Sequence, residues 1–163
     1  MSMARLKILS AIFILIAASQ STYAMIKEVP FPNLVHSSDL IVIADVEIIK
    51  TVGTMASDIN VIANLVKVET PIKGETKTGD KLKIKTYGRI EDFPTFKTGS
   101  KLLLFLKKIN DHYEVNHGIQ GCWPIKNGII TGMGTGKTVE DIKTALNTPL
   151  PKPKKTNRKP IRF

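Results

Sequence analysis

The run Gly132-Met133-Gly134-Thr135-Gly136-Lys137-Thr138 has the residue types of a phosphate-binding loop. It follows an apolar stretch and precedes a helical pattern, the setting in which backbone N–H groups cradle phosphate oxygens. The spacing departs from that chemistry. The loop needs a glycine five positions before Gly136, and Thr131 stands there. The 25 residues after Thr138 are too few for a sheet bearing an acidic magnesium partner. A glycine connector leading into a capped helix is expected instead, with no ATP and no cofactor. Thr138 and Asp141 have the spacing of a capping box.

Cys122 is the one cysteine. With His117 as base it could serve as the nucleophile of a small hydrolase. Trp123 and Pro124 beside it favour a packed, half-buried thiol. In an oxidising compartment an unpaired thiol is either buried or links two chains. His36, His112 and His117 lie far apart or on mixed faces, without the i, i+4 or Cys-x-x-Cys spacing of zinc sites, so no metal is expected. The carboxylate pair Glu91-Asp92 falls in a polar loop, where a solvated turn is the default. No catalytic residue is assigned.

Two groups of basic residues remain. Lys81, Lys83 and Lys85 alternate outward along one segment, with Lys73 and Lys77 nearby, and form a candidate anion-binding face. Tyr87 is the one aromatic residue in line with them, and lysines on an exposed strand also discourage edge-to-edge pairing. Lys152, Lys154, Lys155, Arg158, Lys159 and Arg162 crowd the C-terminal segment without an acid. The formal net charge of +10 splits into +2 before residue 25, +6 from residue 147 onward and +2 for the body between. The tail therefore carries most of the basic character. Outside the cytoplasm its acidic partners would be lipid headgroups, surface glycans or DNA, bound in a salt-sensitive way.

The elements that must position these residues are mostly strands. Arg5 and Lys7, the apolar run Ile8–Ala18 and the small residues Thr22 and Ala24 form a secretory signal pattern, with a cut expected before Met25. The alternative is an uncleaved anchor, for which the run is short. A helical turn is expected over Asn33–Ser38. Leu40–Lys50 reads as a strand buried at its start, followed by a loop at Gly53. Ile59–Thr70 is a second long strand whose apolar phase changes at Leu65, which predicts a bulge there. Lys81–Tyr87 alternates with Leu82, Ile84 and Thr86 inward. Lys101–Ile109 is apolar enough to be covered on both faces. Tyr113, Val115 and His117 alternate on the next strand, and short strands follow near Cys122–Lys126 and Ile129–Thr131. A helix after Thr138 carries Val139, Ile142, Ala145 and Leu146 on one side. Residues 147–163, with four prolines, read as a disordered tail. At 163 residues this is one domain, and 42% hydrophobic content is enough for a core.

Asp39-Leu40-Ile41-Val42, then Val66-Lys67-Val68-Glu69 with Ile72-Lys73-Gly74, then Gly99-Ser100-Lys101 leading into Leu102–Leu106, then Gln120-Gly121 form an ordered set. Over Asn33–Leu146 it resembles a widespread group of exported bacterial domains similar to the five-stranded barrel of tissue inhibitors of metalloproteinases and netrin modules. The resemblance implies a barrel of the oligonucleotide/oligosaccharide-binding type. Those inhibitors block their targets with an N-terminal Cys on zinc. The expected start here, Met25-Ile26-Lys27, has no Cys for that chemistry.

The expectation is a mostly β fold: a small five-stranded OB-like barrel over residues 25–146 with a short C-terminal helix. Its expected function is that of a non-enzymatic binding module in the periplasm or outside the cell. Its partner would be a protein or an acidic polymer, with peripheral contact to an anionic membrane through the tail. A hydrolase using Cys122 and His117 is the alternative from another class.

Overall fold

The computed structural model describes residues 27–55, 58–88 and 90–150. The signal pattern and the tail beyond residue 150 lie outside them. Helix α1 (Phe31–Ser37) leads into β1 (Leu40–Met55), β2 (Ile59–Lys73), β3 (Lys81–Tyr87), β4 (Lys101–Ile109) and β5 (His112–Val115). Two short strands, β6 (Cys122–Lys126) and β7 (Ile129–Ile130), and helix α2 (Val139–Asn147) complete the chain.

The strands pair in the order β1-β2-β3-β5-β4, and β4 also pairs with β1. The first five strands therefore form a barrel-like ring, while β6 and β7 extend from β4. The fold is the expected mostly β, five-stranded OB-like arrangement with a short C-terminal helix. All ring pairings are antiparallel except β3–β5, which run parallel through Ile84–Tyr113 and Lys85–Glu114.

Alternation along the strands builds two apolar layers. Val42, Ala44 and Val46 of β1 point into the ring with Val66, Val68, Ile84, Leu104 and Leu106. Ile41, Leu103 and Phe105 point outward, where α1 and α2 cover them with Leu34, Val35 and Ile142. Every residue from Leu102 to Leu106 is buried because β4 has a layer on each face. Trp123 locks the outer layer. Its ring lies 4.7 Å from that of Phe105 and 5.9 Å from that of Phe31, and its Nε1 donates to Gln120 O at 2.7 Å. The capping box of α2 forms as expected: Asp141 N donates to Thr138 Oγ1 and Thr138 N to Asp141 Oδ2.

Three local expectations change. β1 does not end in a loop at Gly53. It continues to Met55, with Gly53 opposite Val61. β2 does not change phase at Leu65, because its buried side chains are Asn64, Val66 and Val68. The extra residue there is Glu47 on β1, between Val46 opposite Val66 and Ile48 opposite Leu65. Asn64 holds an inward position because Nδ2 donates to Thr86 Oγ1 (2.9 Å) and Ile84 O (3.2 Å), which offsets part of the cost of burying its amide, while Oδ1 is buried with no partner among the described residues. His117 is not on β5. That strand ends at Val115, and His117 adopts a left-handed turn with φ of 56°.

Candidate functional site

The least satisfied part of the molecule is the far half of β1. From Leu40 to Asp45 the strand lies between β2 and β4. Val46 makes the last bonds on the β4 side, to Ser100 O and from Gly99 N. Beyond it, among the described residues, β1 pairs with β2 alone. The bulges at Glu47 and Val52 turn this segment with β2 into an arm. It carries no buried residue after Val46. Ile48 (53% exposed), Ile49 (36%), Val52 (52%) and Met55 (53%) are half of the exposed large hydrophobic residues described. Lys50 is the one charge between Ile48 and Met55. An edge strand that is long, apolar and barely charged is a template for pairing with another chain.

Lys81, Lys83 and Lys85 lie together on the outer side of β3, as expected from their alternation. Two of them already meet carboxylates: Lys81 is 2.7 Å from Glu47, and Lys83 is 3.5 Å from Asp111. Lys85 pairs in register with Glu114. This face thus mixes both signs. Hydrogen bonding with His112, chiefly, and the nearby Lys83 hold the Asp111 carboxyl below its ordinary range. Lys152, Lys154, Lys155, Arg158 and Lys159 fall outside the described residues.

Cys122 faces the ring interior and packs against its core. Burial pushes the thiol up to about 12, far above the range of thiols that act as nucleophiles at neutral pH. His117 is exposed and lines a shallow hollow of about 280 Å³ with Asp92, Phe93 and Gln120. Among the described residues no set of three His, Cys, Asp or Glu side chains is placed to hold a metal. The Gly132–Thr138 run is wound into a short turn, and Gly134 lies against the Trp123 ring. That close approach, and not phosphate, accounts for this glycine. A groove of about 440 Å³ runs past Thr138 between Ile43, Ile125 and Ile129. The Lys101–Glu69 ion pair (2.6 Å) stands in its wall.

No protein-family model matches the chain, and no curated protein matches its sequence.

Asp39, Lys73 and Gly74 of the ordered motif set meet at the junction of α1 and β1, and their roles there are structural. Lys73 Nζ donates to the carbonyls of Val35 (3.0 Å), His36 (2.9 Å) and Ser38 (2.6 Å), closing the end of α1. Burial holds its ammonium below the ordinary lysine range. Asp39 accepts from Lys108 N and Lys107 Nζ, both at 3.0 Å, and these bonds hold its carboxyl below 3.8. A Cβ on Gly74 would stand 2.6 Å from Asp39 O. Asn116 Nδ2 donates to the Ser37 and Ser38 hydroxyls. Sequence reasoning passed over Asn64 and Asn116, whose polarity hides their inward positions. It also passed over the open edge of β1. There the signal was present: Ile48, Ile49, Val52 and Met55 with one lysine.

Proposed function

We propose that this domain is an exported, non-enzymatic interaction module that recognises a protein through the open half of β1. One observation carries the reading: four exposed apolar residues within eight positions, on a strand edge with no partner among the described residues. Scattered surface hydrophobics need no explanation, but several gathered along one unpaired strand edge mark a contact surface. The signal pattern supports export. The barrel-like ring is in keeping with the expected likeness to the inhibitor and netrin barrels. The hydrolase reading is the weaker one, because the only thiol is half-buried, packs against the core and is pushed up to about 12.

The test compares the wild-type protein with an Ile48→Lys, Val52→Lys variant in cross-linked capture from the producing cell's own envelope fraction. A species captured by the wild type and lost with the variant, at unchanged circular dichroism, supports the reading. Equal capture by both removes it. Intact mass beginning at Met25 checks the export step.

The tail supports a second contact, with an acidic polymer or anionic membrane surface, through six positive charges and no acid from residue 147 onward. Lys81, Lys83 and Lys85 add little to it, since Glu47, Asp111 and Glu114 stand beside them. Deleting Pro149–Phe163 is expected to abolish low-salt binding to anionic vesicles or DNA, and unchanged binding would refute this contact.

A further inference from the structure

The open edge of β1 has a geometry that selects its occupant. Val46 gives its N–H to Ser100 O (2.9 Å) and takes one from Gly99 N (2.8 Å), so its main chain faces the β4 side. On the neighbouring strand Asn60 O accepts from Gly88 N (2.8 Å), so Asn60 faces β3. Main-chain groups alternate sides along a strand. Carried through the observed register, this leaves the N–H and C=O of Ile49, Thr51 and Thr54 facing away from β2. Those residues stand opposite Asn64, Ile62 and Asn60. Val52 is the extra residue of a bulge and drops out of the alternation, since Thr51 and Gly53 sit opposite the consecutive residues Ile62 and Val61.

We infer that this edge pairs antiparallel with the same edge of a second copy of the chain, with Thr51 opposite Thr51. The inference rests on the reading of the arm as a contact surface and names its partner. In that register Ile49 meets Thr54 of the other copy, and Thr54 meets Ile49. Every outward-facing residue therefore finds an outward-facing one, and each such pair exchanges both main-chain hydrogen bonds. The faces agree as well. Ile48 lies opposite Met55, covering the two most exposed apolar residues of the arm. Lys50 lies opposite Gly53, so the only charge of the segment meets no like charge. Thr51 pairs with itself, a favourable cross-strand combination.

Neighbouring registers fail on the same residues. Sliding one way sets Lys50 against Lys50. Sliding the other way sets Lys50 against Met55 and carries Ile48 and Ile49 past Met55, the last residue of β1. A two-fold pairing of identical edges also closes on itself and does not propagate. The bulge at Val52 confines the match to this register.

The test is a charge exchange at the self-paired position. Thr51 is exposed and its side chain makes no hydrogen bond among the described residues, so Thr51→Lys and Thr51→Glu are expected to keep the circular dichroism of the wild type. The full protein as produced by its cell is followed by sedimentation velocity from about 1 μM to about 1 mM. The wild type is expected to move from monomer to dimer across that range. Each single variant is expected to weaken association about tenfold or more, because like charges then face each other. An equimolar mixture of the two variants is expected to recover it. A wild type that stays monomeric throughout overturns the inference, as does a mixture no tighter than either variant alone. If the wild type stays monomeric while Ile48→Lys, Val52→Lys still loses a captured protein, self-pairing falls and the arm's role toward another protein stands. If neither measurement responds, both fall.

Discussion

Replacing Gly134 by Ala separates packing from phosphate chemistry in the glycine-rich run. A Cβ at this position would fall inside contact distance of two Trp123 ring carbons and 2.7 Å from Ile130 Cγ2. The ring has nowhere to retreat. Phe105 and Phe31 stand 4.7 and 5.9 Å away by ring centroid, and the indole N–H is tied to Gln120 O. Overpacking a close-packed core costs about 1–3 kcal/mol, and this rigid setting puts Gly134→Ala near 3. For a body of this size that is a fall in melting temperature of roughly 10 °C. Trp123 is the only tryptophan, so its emission reports this site directly during thermal or urea unfolding. Met133→Ala, at the exposed neighbouring position, is expected to stay within about 0.5 kcal/mol of wild type. A Gly134→Ala protein that melts within about 2 °C of wild type would refute the packing argument.

Three further outcomes are expected. Cys122 should resist alkylation at pH 8 in native buffer and react fully in denaturant, and native reactivity comparable with a free thiol would contradict the burial that pushes it up to about 12. Lys73→Met keeps the apolar stem but removes the ammonium from the carbonyls of Val35, His36 and Ser38. A loss of about 2 kcal/mol in urea unfolding is expected, and a loss under about 0.5 would mean that these bonds contribute little. Asp39 has a folded-state value lowered below 3.8, first by the Lys108 N–H and then by Lys107. Its contribution is thus fully present above about pH 4 and lost as pH falls through the lowered value. The group is half-exposed, so solvent screening holds that contribution to about 0.5 kcal/mol. Asp39→Asn should therefore be slightly less stable at pH 7 and lose less stability on acidification, whereas parallel stability curves from pH 7 to pH 2 would exclude this role.

Much of the framework was legible because burial leaves a periodic trace. The unbroken apolar run of β4 foretold cover on both faces, and the lysine alternation of β3 foretold one buried face. Thr138 and Asp141 foretold the start of α2. The misreadings share a physical origin: side chains whose partners are distant in sequence. Asn64 is buried only because Ile84 and Thr86 accept its amide protons, so counting apolar residues moved the bulge to the wrong strand. Gly53 looked like a turn because its pairing partner, Val61, lies across a hairpin. The candidate site was half legible. Ile48, Ile49, Val52 and Met55 with one lysine stand in the sequence of β1, but the departure of β4 after Asp45, which opens the edge, is not a property of β1 alone. Lys73 looked like part of a basic surface, yet its ammonium is spent on three carbonyls that only the folded chain brings together.

The helical layer fixes where this domain could be tethered. Gln120 grips the incoming backbone at both ends of its amide: Oε1 accepts from Val29 N (2.7 Å) and Nε2 donates to Lys27 O (3.1 Å). The outgoing chain is held near by, where His36 Nε2 lies 2.9 Å from both Ala145 O and Thr148 O. Lys27, Val29, Ala145 and Thr148 are thus all held at the helix-covered flank of the molecule. β1 runs from Ile41, beneath that flank, to Met55, turning at the bulges on the way. Holding the body by that flank, on a lipid surface or a solid support, would leave the open half of β1 at the other end of the strand.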